Sequence, residues 1–99
     1  MTKLKLLNPE EIKERASKLE NWKIIDNHHL VGTFYFNDLA GAMHLAVKVG
    51  HLAEEMQHDP EMIIEAGKVE LSIFTHDVGG LTDLDFEFAQ RVENILNID

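Results

Sequence analysis

The chain lacks cysteine altogether, and this absence removes several kinds of protein from consideration. None of its 99 residues can form a disulfide, ligate a metal through a thiolate or act as a cysteine nucleophile. The absence leaves the compartment open but fits a reducing one, and we expect a cytoplasmic protein. The length suits a single domain with its own hydrophobic core, which we expect to span residues 1–99.

Basic residues are also scarce. Nine Lys and Arg face 18 Asp and Glu, which gives a formal net charge of −9. Nucleic acids and anionic membrane surfaces are bound by clusters of Lys and Arg, so the composition argues against both as partners. No apolar run approaches the roughly 20 residues that cross a bilayer. The first seven residues are too short and too charged to be read as a signal peptide.

The apolar pattern predicts an α+β domain built in the order α-β-β-α-β-β-α. Helices are expected to begin after Asn8, Asp38 and Thr82, whose side chains suit the N-cap position, and the first helix is expected to end at Asn21. Strands are expected where apolar residues alternate or cluster between turn signals, at residues 22–25, 29–36, 62–64 and 68–75. The four strands should form one antiparallel sheet, with the helices packed on one face.

The second predicted helix carries an apolar stripe that continues from Leu39 to Met56. Leu45 and Leu52 widen this stripe on one flank beyond what a small sheet needs to cover. We therefore expect this helix to contact a second copy of the chain through Leu45, Leu52 and their neighbours.

Two histidines stand where predicted elements end. His58 closes the long helix, because Pro60 forces Asp59 away from helical dihedrals. His76 follows the last strand and precedes a Gly-Gly turn signal. Side chains at element ends are held by rigid structure on one side, and two imidazoles placed in this way indicate paired acid–base chemistry.

The remaining histidines leave other arrangements open. His51, Glu55 and His58 share one helix face, on which His44 also lies, so they could ligate zinc or a similar ion. A solvated polar face explains the same pattern more simply. The adjacent pair at positions 28 and 29 lies at the tip of the predicted hairpin and is interpreted as exposed.

The chain resembles the pterin-4a-carbinolamine dehydratase family over nearly its whole length. Five residues match the family's signature in type and spacing: Glu54, His58, Pro60, His76 and Asp85. The sequence T-H-D-V-G-G-L-T, which begins at Thr75, also looks like the family's T-H-x-x-G-G-L-T segment. Trp22 and the F-x-F-x-D pattern at residues 34–38 are similar to the family's N-terminal half.

The resemblance implies loss of water from a 4a-hydroxytetrahydropterin, which gives the quinonoid dihydropterin. It implies that His58 and His76 transfer the protons, with the acid and the base left open, and that no metal or organic cofactor is needed. It further implies a small pterin as partner and assembly as a homodimer or homotetramer. Glu54, one helical turn before His58, could orient it. The substrate-binding residues expected on the same basis are Glu54, Asp59, Pro60, Thr75, Asp77 and Asp85.

Two positions depart from the family's pattern. Asp59 stands where the family has His or Asn, and Ala66 stands where an aromatic residue is expected. These departures keep a second hypothesis open, in which a weak or inactive family member binds a pterin-like ligand or acts as a protein-interaction module. A third hypothesis is a metal-binding domain at His51, Glu55 and His58.

Overall fold

The computed structural model describes residues 4–97, which fold in the predicted order of three helices and four strands. The helices are α1 (Pro9–Ala16), α2 (Leu39–Met56) and α3 (Asp83–Leu96). The strands are β1 (Trp22–Ile25), β2 (His29–Tyr35), β3 (Glu61–Glu65) and β4 (Lys68–Ile73). A 3₁₀ turn, His76–Val78, separates β4 from α3. The predicted α+β class is therefore confirmed.

The four strands form one antiparallel sheet in the order β1-β2-β4-β3. In the two central strands Leu30 pairs with Ile73, and Phe34 pairs with Val69. Every second residue of β2 and β4 is buried, whereas the residues between them are partly or fully exposed. The sheet thus packs one face against the helices and leaves the other face towards solvent, as the alternation predicts.

The hydrophobic core lies between the sheet and the helices. Trp22 belongs to this core and packs so tightly over Gly32 that a Cβ at this glycine would lie 2.7 Å from the indole ring. The indole N–H donates to Glu93 Oε2 at 3.1 Å. The largest fully buried apolar side chains are Phe88, Ile12, Leu30, Leu71, Ile73 and Leu81.

Within residues 4–97, none of the helices combines the length and apolarity that a membrane-spanning segment requires.

Short-range side-chain bonds start the helices at the predicted residues. Asn8 and Glu11 close a capping box around the start of α1, and Thr82 and Asp85 close another around the start of α3. The hydrogen bond from the Asn8 backbone N–H lowers the pKa of the Glu11 carboxyl below its ordinary value. Asp38 caps α2 by accepting from the Gly41 N–H at 2.8 Å.

The prediction that the first helix continues to Asn21 is wrong. The chain leaves the α-helical pattern after Ala16, because the amides of Lys18 and Leu19 donate to carbonyls three residues back. The Ser17 hydroxyl also bonds a carbonyl of the last turn at 2.6 Å. A serine that bonds the preceding turn in this way favours termination over propagation.

Leu45 and Leu52 belong to the core of the single chain, so the predicted contact of these two residues with a second copy is wrong. Their exposed fractions are 3% and 7%. Because α2 packs against both α3 and the sheet, its buried stripe must be wider than one layer requires. The large apolar side chains that α2 leaves exposed are Leu39, Met43 and Val47, each one turn from the next.

Candidate functional site

His58 reaches the interior through an unusual end to α2. Gln57, the first residue after the helix, adopts a left-handed conformation with φ 54° and ψ 46°. This turn lets the His58 N–H donate to the Ala53 carbonyl at 3.0 Å, which closes the helix in the manner of a Schellman motif. The His58 side chain consequently points back into the protein and is 9% exposed.

The buried partner of His58 is Asp85, which is fully inaccessible to solvent. Asp85 Oδ1 lies 2.6 Å from His58 Nε2, while Asp85 Oδ2 accepts from the Thr75 hydroxyl at 2.8 Å and from the Thr82 N–H at 2.9 Å. With donors directed at both of its oxygens, Asp85 acts as the acceptor, so His58 Nε2 carries the proton. In the neutral ring, Nδ1 then holds the free lone pair.

Asp85 ties three elements together at one point. It belongs to the first turn of α3, His58 follows α2, and Thr75 follows β4. The hydroxyls of Thr75 and Thr82 are also 2.9 Å apart. Among residues 4–97, every buried side-chain nitrogen and oxygen has a hydrogen-bond partner. A fully satisfied buried network of this kind holds its members in one arrangement.

His76 sits in a different environment. It is the first residue of the 3₁₀ turn, and the residue that caps this turn is Gly79, whose φ of 67° suits glycine. Thr75 N donates to the Gly80 carbonyl at 2.8 Å and fixes the base of this loop. The His76 side chain is exposed, and its ring packs at a tilt against the Phe74 ring with the ring centroids 4.1 Å apart.

A cavity of about 320 Å³ joins the two histidines. Five residues that the sequence singled out line it: His58, Asp59, Thr75, His76 and Asp77. The remaining lining residues are Leu4, Gln57 and Leu84.

Three other predicted site residues do not line this cavity. Asp85 lies behind His58, where it holds the ring. Glu54, which the sequence suggested as the residue that orients His58, is exposed on α2, and Asp85 supplies that hydrogen bond instead. Pro60 directs the chain away from α2 towards β3.

The arrangement of His51, Glu55 and His58 does not form a metal site. His58 turns inward to Asp85, whereas Glu55 is exposed and its Oε2 lies 3.6 Å from Arg91 Nη1. Within residues 4–97, no three His, Asp or Glu side chains come together in a geometry that could hold an ion. The helical spacing was misleading because α2 ends before His58, so the three residues share no helix face.

The sequence contained one unused signal for the role of Asp85. Asp85 lies on the same helical face as Phe88, Ala89 and Val92, all of which are buried. An acidic residue on an apolar face needs a buried partner. The capping box explained only one of its two oxygens, and the second pointed to a further donor.

The sequence matches known proteins over nearly its whole length. Residues 5–95 match the family model described as Pterin 4 alpha carbinolamine dehydratase. A Rubrobacter xylanophilus protein, provisionally named a pterin-4-alpha-carbinolamine dehydratase, is 38% identical over 89 residues, which are 90% of this chain and 83% of that protein. A Sulfurisphaera tokodaii protein with the same provisional name is 37% identical over 93 residues, with coverage of 94% and 99%.

Solved structures share the fold. A Brucella melitensis protein described as a transcriptional coactivator/pterin dehydratase matches with a TM-score of 0.86 at 26% identity, covering 92% of this chain and 98% of that one. A pterin dehydratase-like protein described as a RuBisCO assembly factor in the alpha-carboxysome matches in fold alone, with a TM-score of 0.66 at 18% identity and coverage of 81% and 94%.

The architecture and order of elements are those of the pterin dehydratase fold. The match to the family model and to the two relatives then identifies the family to which the chain belongs among proteins of this fold. The chain belongs to the pterin-4-alpha-carbinolamine dehydratase family.

Proposed function

We propose that the chain catalyses, in the cytoplasm, the dehydration of a 4a-hydroxytetrahydropterin to the quinonoid dihydropterin. The observation that carries the proposal is that His58 and His76 line one cavity, with His58 held by a buried carboxylate. Membership of the family supplies the class of substrate. The cavity volume of about 320 Å³ suits a bicyclic ring.

The reaction divides between the two imidazoles. A base removes the proton of a ring N–H, the electrons of that bond form a C=N bond to carbon 4a, and the C–O bond to the hydroxyl breaks. An acid protonates the departing oxygen, which leaves as water. We assign the base to His58 Nδ1, because Asp85 keeps the ring proton on Nε2. His76, which is exposed and lines the same cavity, is then the acid.

The carboxylates of the cavity contribute binding rather than proton transfer. Asp77 is an acceptor and can receive a hydrogen bond from an N–H group of a pterin, whereas Asp59 faces the same cavity with acceptors only. Thr75 already bonds Asp85 and Thr82, and its part is to hold the network. Glu54 and Pro60 lie outside the lining, and we leave them out of the proposed binding set.

The direct test is an assay of a synthetic carbinolamine by stopped-flow absorbance. We expect its disappearance to accelerate in proportion to protein concentration, well beyond the effect of free imidazole at twice that concentration. The matched control is His51→Ala, which removes an exposed imidazole outside the cavity and should leave the rate unchanged. A rate no higher than that with imidazole would reject the proposal.

Replacing Asp59 should improve the enzyme. The family has His or Asn at this position, and a carboxylate cannot donate a hydrogen bond to the pterin. A mismatched polar contact costs about 1–3 kcal/mol, so Asp59→Asn and Asp59→His are expected to raise kcat/KM by about tenfold. Asp77→Asn, which changes another carboxylate of the same cavity, should bring no such gain. If both Asp59 variants are slower than the parent, Asp59 is an adapted part of this site.

Treatment with a metal chelator is expected to leave the dehydration rate unchanged. The proposed proton carriers are imidazoles, and one nitrogen of His58 is already engaged by Asp85. The measurement compares initial rates before chelation, after it and after addition of zinc. A loss that zinc restores would show that a metal takes part.

The second candidate function is a protein-interaction module, and the exposed side chains Leu39, Met43 and Val47 favour it. Because these residues form one apolar stripe on α2, we propose that they mediate self-association to a homodimer or homotetramer. Val47→Lys should shift the sedimentation profile towards the 11.3 kDa monomer. Gln90→Lys, an exposed change on α3, should not. A parent chain that sediments only as monomer at micromolar concentration would count against self-association.

A further inference from the structure

We propose that Phe74 is the positioning residue for His76, and that His28 supports Phe74. The inference rests on the proposed role of His76 in proton transfer and adds the means by which its ring is held. Phe74 and His28 are not among the residues that line the cavity of about 320 Å³. They act through contact with one another and with His76.

The side chains of the two cavity histidines are held in place by different kinds of contact. His58 is buried and bonded to Asp85 at 2.6 Å. His76 is exposed, and within residues 4–97 its side chain makes no hydrogen bond and no ion pair. Its ring does pack against the ring of Phe74 in a tilted arrangement, with centroids 4.1 Å apart and an angle of 37° between the ring planes. We infer that contact with an aromatic ring orients the His76 imidazole, as a hydrogen bond orients the His58 imidazole.

The open space around the His76 ring makes its contact with Phe74 important for the orientation of the ring. His76 and Asp59 both line the cavity of about 320 Å³ that contains His58, and both also line a second cavity of about 140 Å³ with Glu61, Ser72 and Phe74. A side chain that borders two open cavities has room to change rotamer. Phe74 supplies a surface against which one rotamer is preferred.

Phe74 is itself held by the sheet and by a third ring. It directly follows the last residue of β4, Ile73, which pairs with Leu30 in β2. This register brings the β1–β2 turn alongside Phe74, and the His28 ring lies 4.4 Å from the Phe74 ring at 44°. His28 is held in turn by a contact of 3.2 Å between its Nδ1 and that of His29. The hairpin tip is thus connected to His76 through two tilted ring contacts.

Phe74→Leu is the main test, because it removes the ring but keeps an apolar side chain. Misplacement of a reacting group by about 1 Å can cost up to a hundredfold in rate, so we expect kcat to fall by about ten- to a hundredfold with KM nearly unchanged. Phe74→Tyr keeps the ring and should retain kcat. Tyr35→Leu, the loss of an exposed aromatic residue on β2, is the matched control and should have no effect.

A second measurement does not depend on activity. In NMR spectra of the parent, the His76 ring protons should show ring-current shifts and a single rotamer, and both should be lost in Phe74→Leu and kept in Phe74→Tyr. His28→Leu should weaken them partially. Unchanged His76 signals in folded Phe74→Leu, or an equal loss of kcat in the Leu and Tyr variants, would overturn the inference. A parent without dehydratase activity rejects the proposed function alone, and the NMR result then decides whether Phe74 positions His76.

Discussion

His76→Ala is expected to lower kcat for carbinolamine dehydration by about 10²–10⁴-fold, the usual contribution of one positioned acid or base. The free energy of unfolding should change by less than about 0.5 kcal/mol, because surface side chains away from buried networks contribute little. His76 is exposed, and its stacking partner Phe74 remains in place. The measurements are single-turnover kinetics and urea denaturation on the same preparation.

The control for this prediction is His44→Ala, which removes an exposed histidine of α2 outside the cavity of the candidate site. It should match the parent in both measurements. Full activity in His76→Ala would show that the departing hydroxyl takes its proton from another group. A large loss of stability would show that the ring also supports the fold, contrary to its exposure.

Substitution of Asp85 is expected to have the largest combined effect on the activity and the stability of the protein. Asp85→Ala leaves the His58 imidazole, the Thr75 hydroxyl and the Thr82 N–H without their shared acceptor. Each buried polar group left without a hydrogen-bond partner costs about 1–3 kcal/mol, so the loss at three groups is a large share of the roughly 5–15 kcal/mol that stabilises a small domain. We expect Tm to fall by more than about 10 °C.

Asp85→Asn separates the two roles of the carboxylate. The amide oxygen can still accept from Thr75 and Thr82, so most of the stability should remain. The amide nitrogen must then face His58 Nε2 as a donor, which places the ring proton on Nδ1 and removes the lone pair from the cavity. We expect kcat to fall by at least about 10²-fold, since a wrongly protonated imidazole cannot act as the base.

A double-mutant cycle with His58→Ala tests this explanation. If Asp85 acts only through His58, adding Asp85→Asn to His58→Ala should not reduce kcat further, because the base is already absent. Additive losses would mean that Asp85 contributes to the reaction independently. The two nitrogens of His58 can also be distinguished by ¹⁵N NMR, which should report the Nε2–H form in the parent and the Nδ1–H form in Asp85→Asn.

The parts of the fold that depend on short-range chemistry could be predicted from the sequence. The capping boxes at Asn8 and Thr82 involve residues that are three positions apart. The alternation of apolar and polar residues in β4 shows which face of the strand is buried. The burial of Leu45 and Leu52 could not be predicted in the same way. The width of the α2 stripe depends on its packing against α3, which a single helix pattern does not reveal.

The candidate site shows the same division. His58 and His76 were predicted because each follows the end of a regular element, which is a local property. The link from His58 to Asp85 spans 27 positions in the chain and exists only after α2, β4 and α3 have packed. The stack of His76 on Phe74 is local in sequence, but alternation alone does not distinguish a stacked aromatic residue from one on an open sheet face.

The Asp85 carboxylate both caps α3 and holds His58. The time for which His58 stays in place therefore depends on how often the first turn of α3 frays. When the first turn of α3 opens, the Thr82 amide loses its acceptor at the same moment that His58 loses its partner. Local opening exposes amides to hydrogen exchange with solvent. The exchange rate of the Thr82 amide therefore measures how often the histidine is released, in a protein that is otherwise folded and without any substrate present.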